Sequence, residues 1–352
     1  MASSQSGLHL LRRSGGALRR FMSLGRQKGV HAGSAHAPQA SWSALAFGAP
    51  PDVRSNLDAA FPEFQKIFVS RTAPLPVVER HFLRTGRKVV LCWGPVAPRS
   101  LIELKNIYPD IQILHVYHGP FNLSNGRMYQ SFSLDWTGLY VNPRRVCDFE
   151  YFGNAFPFDA NPALVKAAGA LRSDLVSAAG RDDGAVVVLL QDRTDPAFAL
   201  AYTRGLTPID IVRAAADEHP DAPIALAMTA SPVNQARQLD EVREQLDARA
   251  RARLTRPIDE SEVVDQLMRC RACYTVSAPA AAAAVLAGRP VTTFGPGFYA
   301  GWGLTDDRRT VLRRNRSLDV DEFAALVFGL CFRWISDDGS ILFPGLDGRE
   351  SA

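Results

Sequence analysis

The sequence predicts an α/β protein of two Rossmann-like, doubly wound domains that face each other across a cleft. Two observations carry this. Apolar strand-like runs alternate with helical periodicity in two separate blocks, and an Ala-rich helix divides the blocks near residues 153 to 182. Alternation of this kind implies parallel strands with helices on both faces.

In the first block, "RKVVLCWG" (Arg87 to Gly94) reads as a buried strand ending in a turn. "APRSLIELKNIYP" follows with Leu101, Leu104 and Ile107 at helical spacing, and "DIQILHVYHG" is the next strand. A strand–helix–strand unit favours parallel pairing. "GRMYQSFSLDWTGLYVNP" reads as a β-hairpin turning near Asp135 to Gly138. The second block opens after a helix over Pro162 to Ala179. "GAVVVLLQD", "APIALAMTASP", "ACYTVS" and "RPVTTFG" are its strands. "TPIDIVRAAADEHP", with Thr207 as N-cap, "DESEVVDQLMRC" and "PAAAAAVLAG" are its helices. "DVDEFAALVFGLCFRWI" reads as a closing helix. This gives a first domain over 51–165 and a second over 166–345. No internal repeat, Walker motif or G-x-G-x-x-G pattern is present.

The 352 residues carry 40 Lys and Arg against 36 Asp and Glu, a net charge of +4. The balance is uneven along the chain. Arg12, Arg13, Arg19, Arg20, Arg26 and Lys28 all precede the first acid, Asp52. Beyond that point 34 basic groups (40 less those six) face 36 acidic ones, or −2. A nucleic-acid-binding body is therefore not indicated. Residues 1–50 read as a basic, flexible tail, a solvated extension by composition. Its charge also suits an anionic membrane surface, and organellar transit peptides share its look. No run is long enough for a signal core or a membrane span. Five cysteines, an odd and scattered set, fit reduced thiols in a cytoplasmic protein. Cys270 and Cys273 form a lone C-x-x-C without the partners a zinc site needs, so no metal is expected.

Ligands of doubly wound folds bind beyond the carboxyl ends of strands, here in the cleft. "FGPGFYAGWGLTDDRR" (Phe294 to Arg309) follows such a strand. Gly295, Gly297, Gly301 and Gly303 let the backbone turn sharply or approach a ligand. Phe298, Tyr299 and Trp302 would line a pocket or stack on a base or sugar; alternatively they plug the domain interface. Asp306 and Asp307 beside Arg308 and Arg309 read as a solvated, self-paired charge cluster.

This segment resembles the signature of the bacterial capsular polysaccharide β-Kdo transferases, which take 3-deoxy-manno-oct-2-ulosonic acid (Kdo) from a CMP-activated donor. It matches F-G-x-P-F-Y-A-G-W-G-L-T-x-D continuously from Phe298 to Thr305. "LAGRPVTTFG", "SFSLDWTGLYVNPRRVCDFE" and "LLQDRTDPAF" resemble further family stretches, so the likeness covers about residues 85 to 345. It implies a GT-B-like pair of domains, the acceptor on the first and the nucleotide sugar on the second. It also implies a lipid-linked or oligosaccharide acceptor, a role in capsule assembly and export at the inner face of the cytoplasmic membrane, and no cofactor beyond the CMP-sugar. Donor contacts would come from Gln191, Thr229, Ser231, Pro232, Ser277, Gly295, Phe298, Tyr299, Gly301 and Trp302.

Three departures stand out. Where the family has E-D-G-F, this chain has "YHGPF", so His118 replaces the Asp thought to do the chemistry. A carboxylate suits oxocarbenium charge better than an imidazole does. Where the family has K-x-H-P, this chain has "TASP", leaving Thr229 and Ser231 to donate uncharged hydrogen bonds to phosphate. Where the family helix carries a Glu for the ribose, this chain has Ala283. The candidate catalytic residues are therefore His118 and the acids Asp192 and Asp195, which follow a strand end. Asp135 matches a family Asp but reads as a turn acid. The alternative is a non-catalytic relative that binds nucleotide or glycan as a scaffold.

Overall fold

The computed structural model describes residues 42–336, apart from 62–63, 86–88, 95–96, 125–127, 138–139, 141, 143–144, 182, 193–197, 199–200, 202–204 and 229–231. The first sheet contains four parallel strands: β1 (Trp42–Phe47), β2 (Phe64–Val69), β3 (Val89–Trp93) and β4 (Gln112–His118). β5 (Leu123–Ser124) and β6 (Met128–Asp135) are antiparallel to each other, and β6 is antiparallel to β4. The period of two along β1 assigns its faces. Ala44 and Ala46 pack with Leu57 and Ala60 of helix α1 (Arg54–Ala60) on one side. Leu45 and Phe47 pack on the other with Val78 and Phe82 of α2 (Leu75–Thr85) and Leu101 and Leu104 of α3 (Arg99–Ile107).

Two helices, α4 (Asp148–Ala155) and α5 (Pro162–Ala179), lead to the second sheet. Its strands β7 (Val186–Leu190), β8 (Ile224–Met228), β9 (Ala272–Thr275), β10 (Val291–Thr293) and β11 (Asp306–Asp307) are all parallel, in the order β11-β10-β9-β7-β8. The run "VVVLL" is apolar throughout because β7 is central and buried on both faces. Helix α6 (Pro208–Glu218) begins at Thr207, whose hydroxyl and backbone N–H both donate to Asp210, a capping box. Helices α7 (Pro232–Gln245), α8 (Ala248–Ala252), α9 (Val263–Arg269) and α10 (Ala282–Leu286) fill the connections. Two doubly wound α/β units, GT-B-like in arrangement, are thus present.

Three elements differ from the sequence reading. The expected closing helix is only α11 (Val320–Ala325), started by a capping box at Asp319. After a wide turn over Leu326–Leu330, "FRWIS" becomes strand β12 (Phe332–Ser336), which returns to the first sheet and pairs antiparallel with β6. Aromatic and β-branched residues prefer that half-buried pleated surface to a helix end. β6 pairs antiparallel with β5 and β4, both ahead of it in the chain, and among the described residues no strand follows it before α4, so the expected hairpin partner after Asp135 to Gly138 is not seen. β1 lies inside the segment read as tail (1–50): Leu45 and Phe47 are fully buried and β1 is flanked by β2 and β3, so the folded domain starts by Trp42.

The β12 crossover joins the halves physically. One apolar cluster runs from Phe121 and Tyr140 through Phe149, Phe298 and Phe323 to Val187 and Leu189, and includes Phe332 and Trp334.

Candidate functional site

The carboxyl ends of the second sheet gather four of the expected residues. Gln191 directly follows β7 and is almost fully buried. Its Oε1 accepts from the backbone N–H of Ser277, after neighbouring β9, at 2.8 Å, and the Ser277 hydroxyl lies 3.5 Å away. Asp192 comes next, half-buried, with its Oδ2 accepting from Asn234 Nδ2 at 3.1 Å. Asn234 stands in the first turn of α7, which begins at Pro232 after β8. Gly295 lies after β10, where a side chain has no room. A Cβ there would come within 2.9 Å of the Val276 carbonyl and 3.2 Å of the Ala201 methyl. The hydroxyl of Thr293 lies 2.7 Å from the Val276 carbonyl and 2.8 Å from that of Gly295, locking the two loops together. Asp195, Thr229 and Ser231 lie outside the described residues.

The aromatic signature does different work from pocket lining. Phe298, Tyr299 and Trp302 are 2%, 0% and 0% exposed, so no ring face is open to a base or sugar. Phe298 meets Tyr140 and Phe149 edge-on, at 5.0 and 4.8 Å between centroids. Burial raises the pKa of the Tyr299 hydroxyl, which stays protonated and donates to the Ala278 carbonyl at 3.1 Å. Trp302 Nε1 donates to the Phe298 carbonyl at 2.8 Å. Gly301 takes φ of +78°, a left-handed backbone suited to glycine, and its N–H donates to Asp307 at 2.8 Å. Of the expected charge cluster, Asp307 therefore turns inward to the signature. Asp306 pairs with Arg308, which also binds Glu218.

The loop is fastened by a buried ion pair that sequence reading missed. Arg314 donates through Nη1 to the carbonyls of Gly297 and Ala300, each at 2.5 Å. Its Nε meets Glu150 of α4 at 3.2 Å, and both side chains are 2% exposed. Arg313 reaches the same carboxylate at 3.2 Å. Beside them, Gly153 of α4 faces Trp302, where a Cβ would stand 2.5 Å from the indole.

On the first sheet, His118 ends β4 and is exposed. Its ring lies edge-to-face with Trp93 at 5.0 Å and near Tyr117 and Phe132. Its carbonyl accepts from Tyr140 Oη at 2.9 Å. Gly119 is needed because Ser131 lies beneath it, with Oγ 2.1 Å from where a Cβ would be. The backbone at the expected catalytic position is thus pinned on both sides. Arg71, after β2, reaches across to donate to the Trp93 carbonyl at 2.9 Å. It packs on Gly48 and Gly94, two left-handed glycines at the ends of β1 and β3. Glycines closing strands were the available signal for it.

Two further positions can be placed. Asp135 is the expected turn acid and is buried as well: it accepts from the backbone N–H of Thr137, two residues on, at 3.0 Å and from that of Asp148 at 3.1 Å. Asp148 accepts from Trp136 N–H and the Thr137 hydroxyl, and burial raises its pKa. Ala283, in the position of the family Glu, is fully buried in the core, so that position does not open on a ligand here. All five cysteines are buried thiols outside any disulfide. Burial raises the thiol pKa values of Cys147, Cys273 and Cys331, which suits inert packing. Among the described residues no three His, Cys, Asp or Glu side chains form a metal site, and no helix is long and apolar enough to cross a membrane.

A family model described as capsule polysaccharide biosynthesis protein matches residues 174–328, most of the second domain and all of the signature. Over this stretch the chain is similar to the capsule polysaccharide biosynthesis family. Across 313 residues it is 27% identical to the lipopolysaccharide-processing protein LpsZ of Rhizobium meliloti, covering 82% of this chain and 69% of that protein. Two solved structures share its fold, both of Thermosulfurimonas dismutans KpsC. The β-Kdo 2,4 transferase aligns with TM-score 0.64 at 20% identity, and the β-Kdo 2,7 transferase with 0.60 at 19%. Each alignment covers 85% of this chain and 95% of the other.

Proposed function

We propose that this chain is a glycosyltransferase of surface-polysaccharide assembly. It takes Kdo or a related sugar from a CMP-activated donor and passes it to a lipid-linked or oligosaccharide acceptor. The supporting observation is the convergence of Gln191, Asp192, Ser277 and Gly295 at the carboxyl ends of adjacent parallel strands, where doubly wound folds hold nucleotides. In this reading Gln191 sets the Ser277 loop against the donor, and the start of α7 faces its phosphate, with Thr229 and Ser231 donating. The signature acts from behind: its buried rings hold the loop in place rather than touching the base. His118 faces the acceptor side as an acid–base group, with Asp192 or Asp195 supplying negative charge. The basic tail holds the chain at the inner face of an anionic membrane.

A thermal-shift series with CMP, CMP-sugars, UDP-sugars and GDP-sugars tests the donor. At 100 times the dissociation constant, cytidine nucleotides should stabilise the fold by about 2.7 kcal/mol. Stabilisation by a uridine or guanosine nucleotide alone would refute the assignment.

The second reading is a non-catalytic scaffold. It is favoured by one observation: Ala283 is sealed in the core, so the ribose-gripping acid of the resembled family has no counterpart at its own position. Turnover separates the readings. If CMP-sugars are consumed, His118→Ala should slow the reaction at least about tenfold. If no CMP-sugar is turned over with a mixed glycan acceptor pool, the scaffold reading stands.

A further inference from the structure

Six large apolar side chains are strongly exposed among the described residues, and four of them lie on two adjacent helices of the first domain. Val77 (37%) and Leu83 (61%) are on α2; Ile102 (50%) and Ile107 (51%) are on α3. The two helices cover the same sheet face and touch through Phe82 and Tyr108, whose rings are 5.3 Å apart. Buried residues Val78, Phe82 and Thr85 mark the inner stripe of α2, which places Pro76, Arg80, Leu83 and Arg84 outward. On α3, Ser100, Leu101 and Leu104 are inward, and Arg99, Ile102 and Asn106 are outward. Exposed aliphatics therefore alternate with cations on one surface.

The charge supports one occupant. α2 and α3 carry Arg80, Arg84, Arg99 and Lys105 against Glu79 and Glu103, a surplus of two positive charges on a body whose balance is −2. Both acids are engaged: Glu79 accepts from Tyr108 Oη at 2.8 Å, and Glu103 pairs with Arg99 at 2.7 Å. Topology adds a second argument. β1, β3 and β4 run parallel and so start at one edge of the sheet. α2 and α3 end at that edge, just before β3 and β4, which puts Leu83, Arg84 and Ile107 there. β1 itself begins at that edge with Trp42. We infer that the outward face of α2 and α3 is a docking surface for an anionic lipid bilayer. The apolar side chains enter the interfacial layer and the arginines meet lipid phosphates, as on other interfacially bound amphipathic surfaces. This extends the tail's proposed role without depending on it or on sugar transfer.

The test is flotation of the full chain with phosphatidylcholine vesicles, with and without about 30 mol % phosphatidylglycerol. The parent should float only with the anionic vesicles. Arg80→Glu/Arg84→Glu should weaken partitioning by at least about 25-fold, since each cation near such a surface contributes about fivefold. Leu83→Ser/Ile102→Ser should weaken it by about tenfold, with binding no longer supported at high salt. Leu312→Ser removes an apolar side chain 89% exposed in the second domain and should change nothing. Replacing all six tail cations by Gln should leave residual binding that the face variants then abolish. Arg84→Gln, a milder change, serves if a double variant melts early, and should still cost about fivefold. The inference is overturned if folded face variants bind like the parent, or if neutralising the tail alone removes all binding. It is also overturned if light scattering shows that the face variants dissolve a dimer, because the face would then be an interface between copies.

Discussion

At the residue scale, the signature's meaning lies in what its side chains touch. Arg314 binds two signature carbonyls and Glu150 while almost fully buried. Burial alone pulls the guanidinium's pKa down and Glu150 counters it. Removing one member of such a pair strands a charge in the interior, so Glu150→Ala should cost about 3–5 kcal/mol in urea unfolding. A loss below about 1 kcal/mol would mean that water reaches the Arg314 guanidinium and solvates it. Asp148 makes the complementary prediction in pH. Its folded pKa is raised above its ordinary 3.8, first by burial. As pH rises through the window above 3.8, the unfolded chain ionises first, and the fold loses stability until the buried carboxyl also ionises. Asp148→Asn keeps the shape of the protonated acid. Its stability relative to the parent should therefore grow between pH 3.8 and neutral pH in urea titrations. An offset that is the same at both values would show that Asp148 is ionised in the fold throughout.

At the element scale, most strands and helices of the second domain were legible because each apolar run had the length and flanks of its type. "VVVLL" has no helical periodicity, and Thr207 announces α6 with Asp210 three residues on. β12 was not legible: "FRWI" follows a helix without a break, and only the partner β6 makes it a strand. β1 was hidden because it abuts the basic tail. Gln191, Asp192, Ser277 and Gly295 could be placed because strand ends are readable. The inward direction of Phe298, Tyr299 and Trp302 could not, since residue type does not say which side of a loop is covered. The Glu150–Arg314 partnership spans 164 residues and leaves no local trace. Helix α4 is where this matters, because its Gly153 lies against Trp302. Gly153→Ala would favour the helix intrinsically, by about 1 kcal/mol. The Cβ 2.5 Å from a buried indole works against that and should dominate. A net destabilisation of about 1–3 kcal/mol in thermal unfolding is expected. A gain in stability would mean that the α4–signature contact is looser than described.

At the scale of the whole molecule, the question is whether the two domains behave as separate bodies. A ligand cleft between hinged units needs an interface that opens easily, and inter-domain contacts are usually polar and modest in area. Here the contact is a core. Tyr140 and Phe149, which precede the second domain, meet Phe298 edge-on. Phe332 and Trp334 come from β12, which follows the second sheet in the chain, yet their strand completes the first sheet. Breaking the domains apart would expose these rings and unpair β12 from β6 together. The two sheets should therefore unfold in one cooperative transition, not two. Differential scanning calorimetry checks this: the calorimetric and van't Hoff enthalpies should agree to within about 10%. Phe298→Ala removes a ring common to both halves and should cost about 3–5 kcal/mol, lowering the single transition without splitting it. Two resolved transitions in the parent, with only one shifted by Phe298→Ala, would show that each sheet holds its own core and that the cleft opens as a hinge.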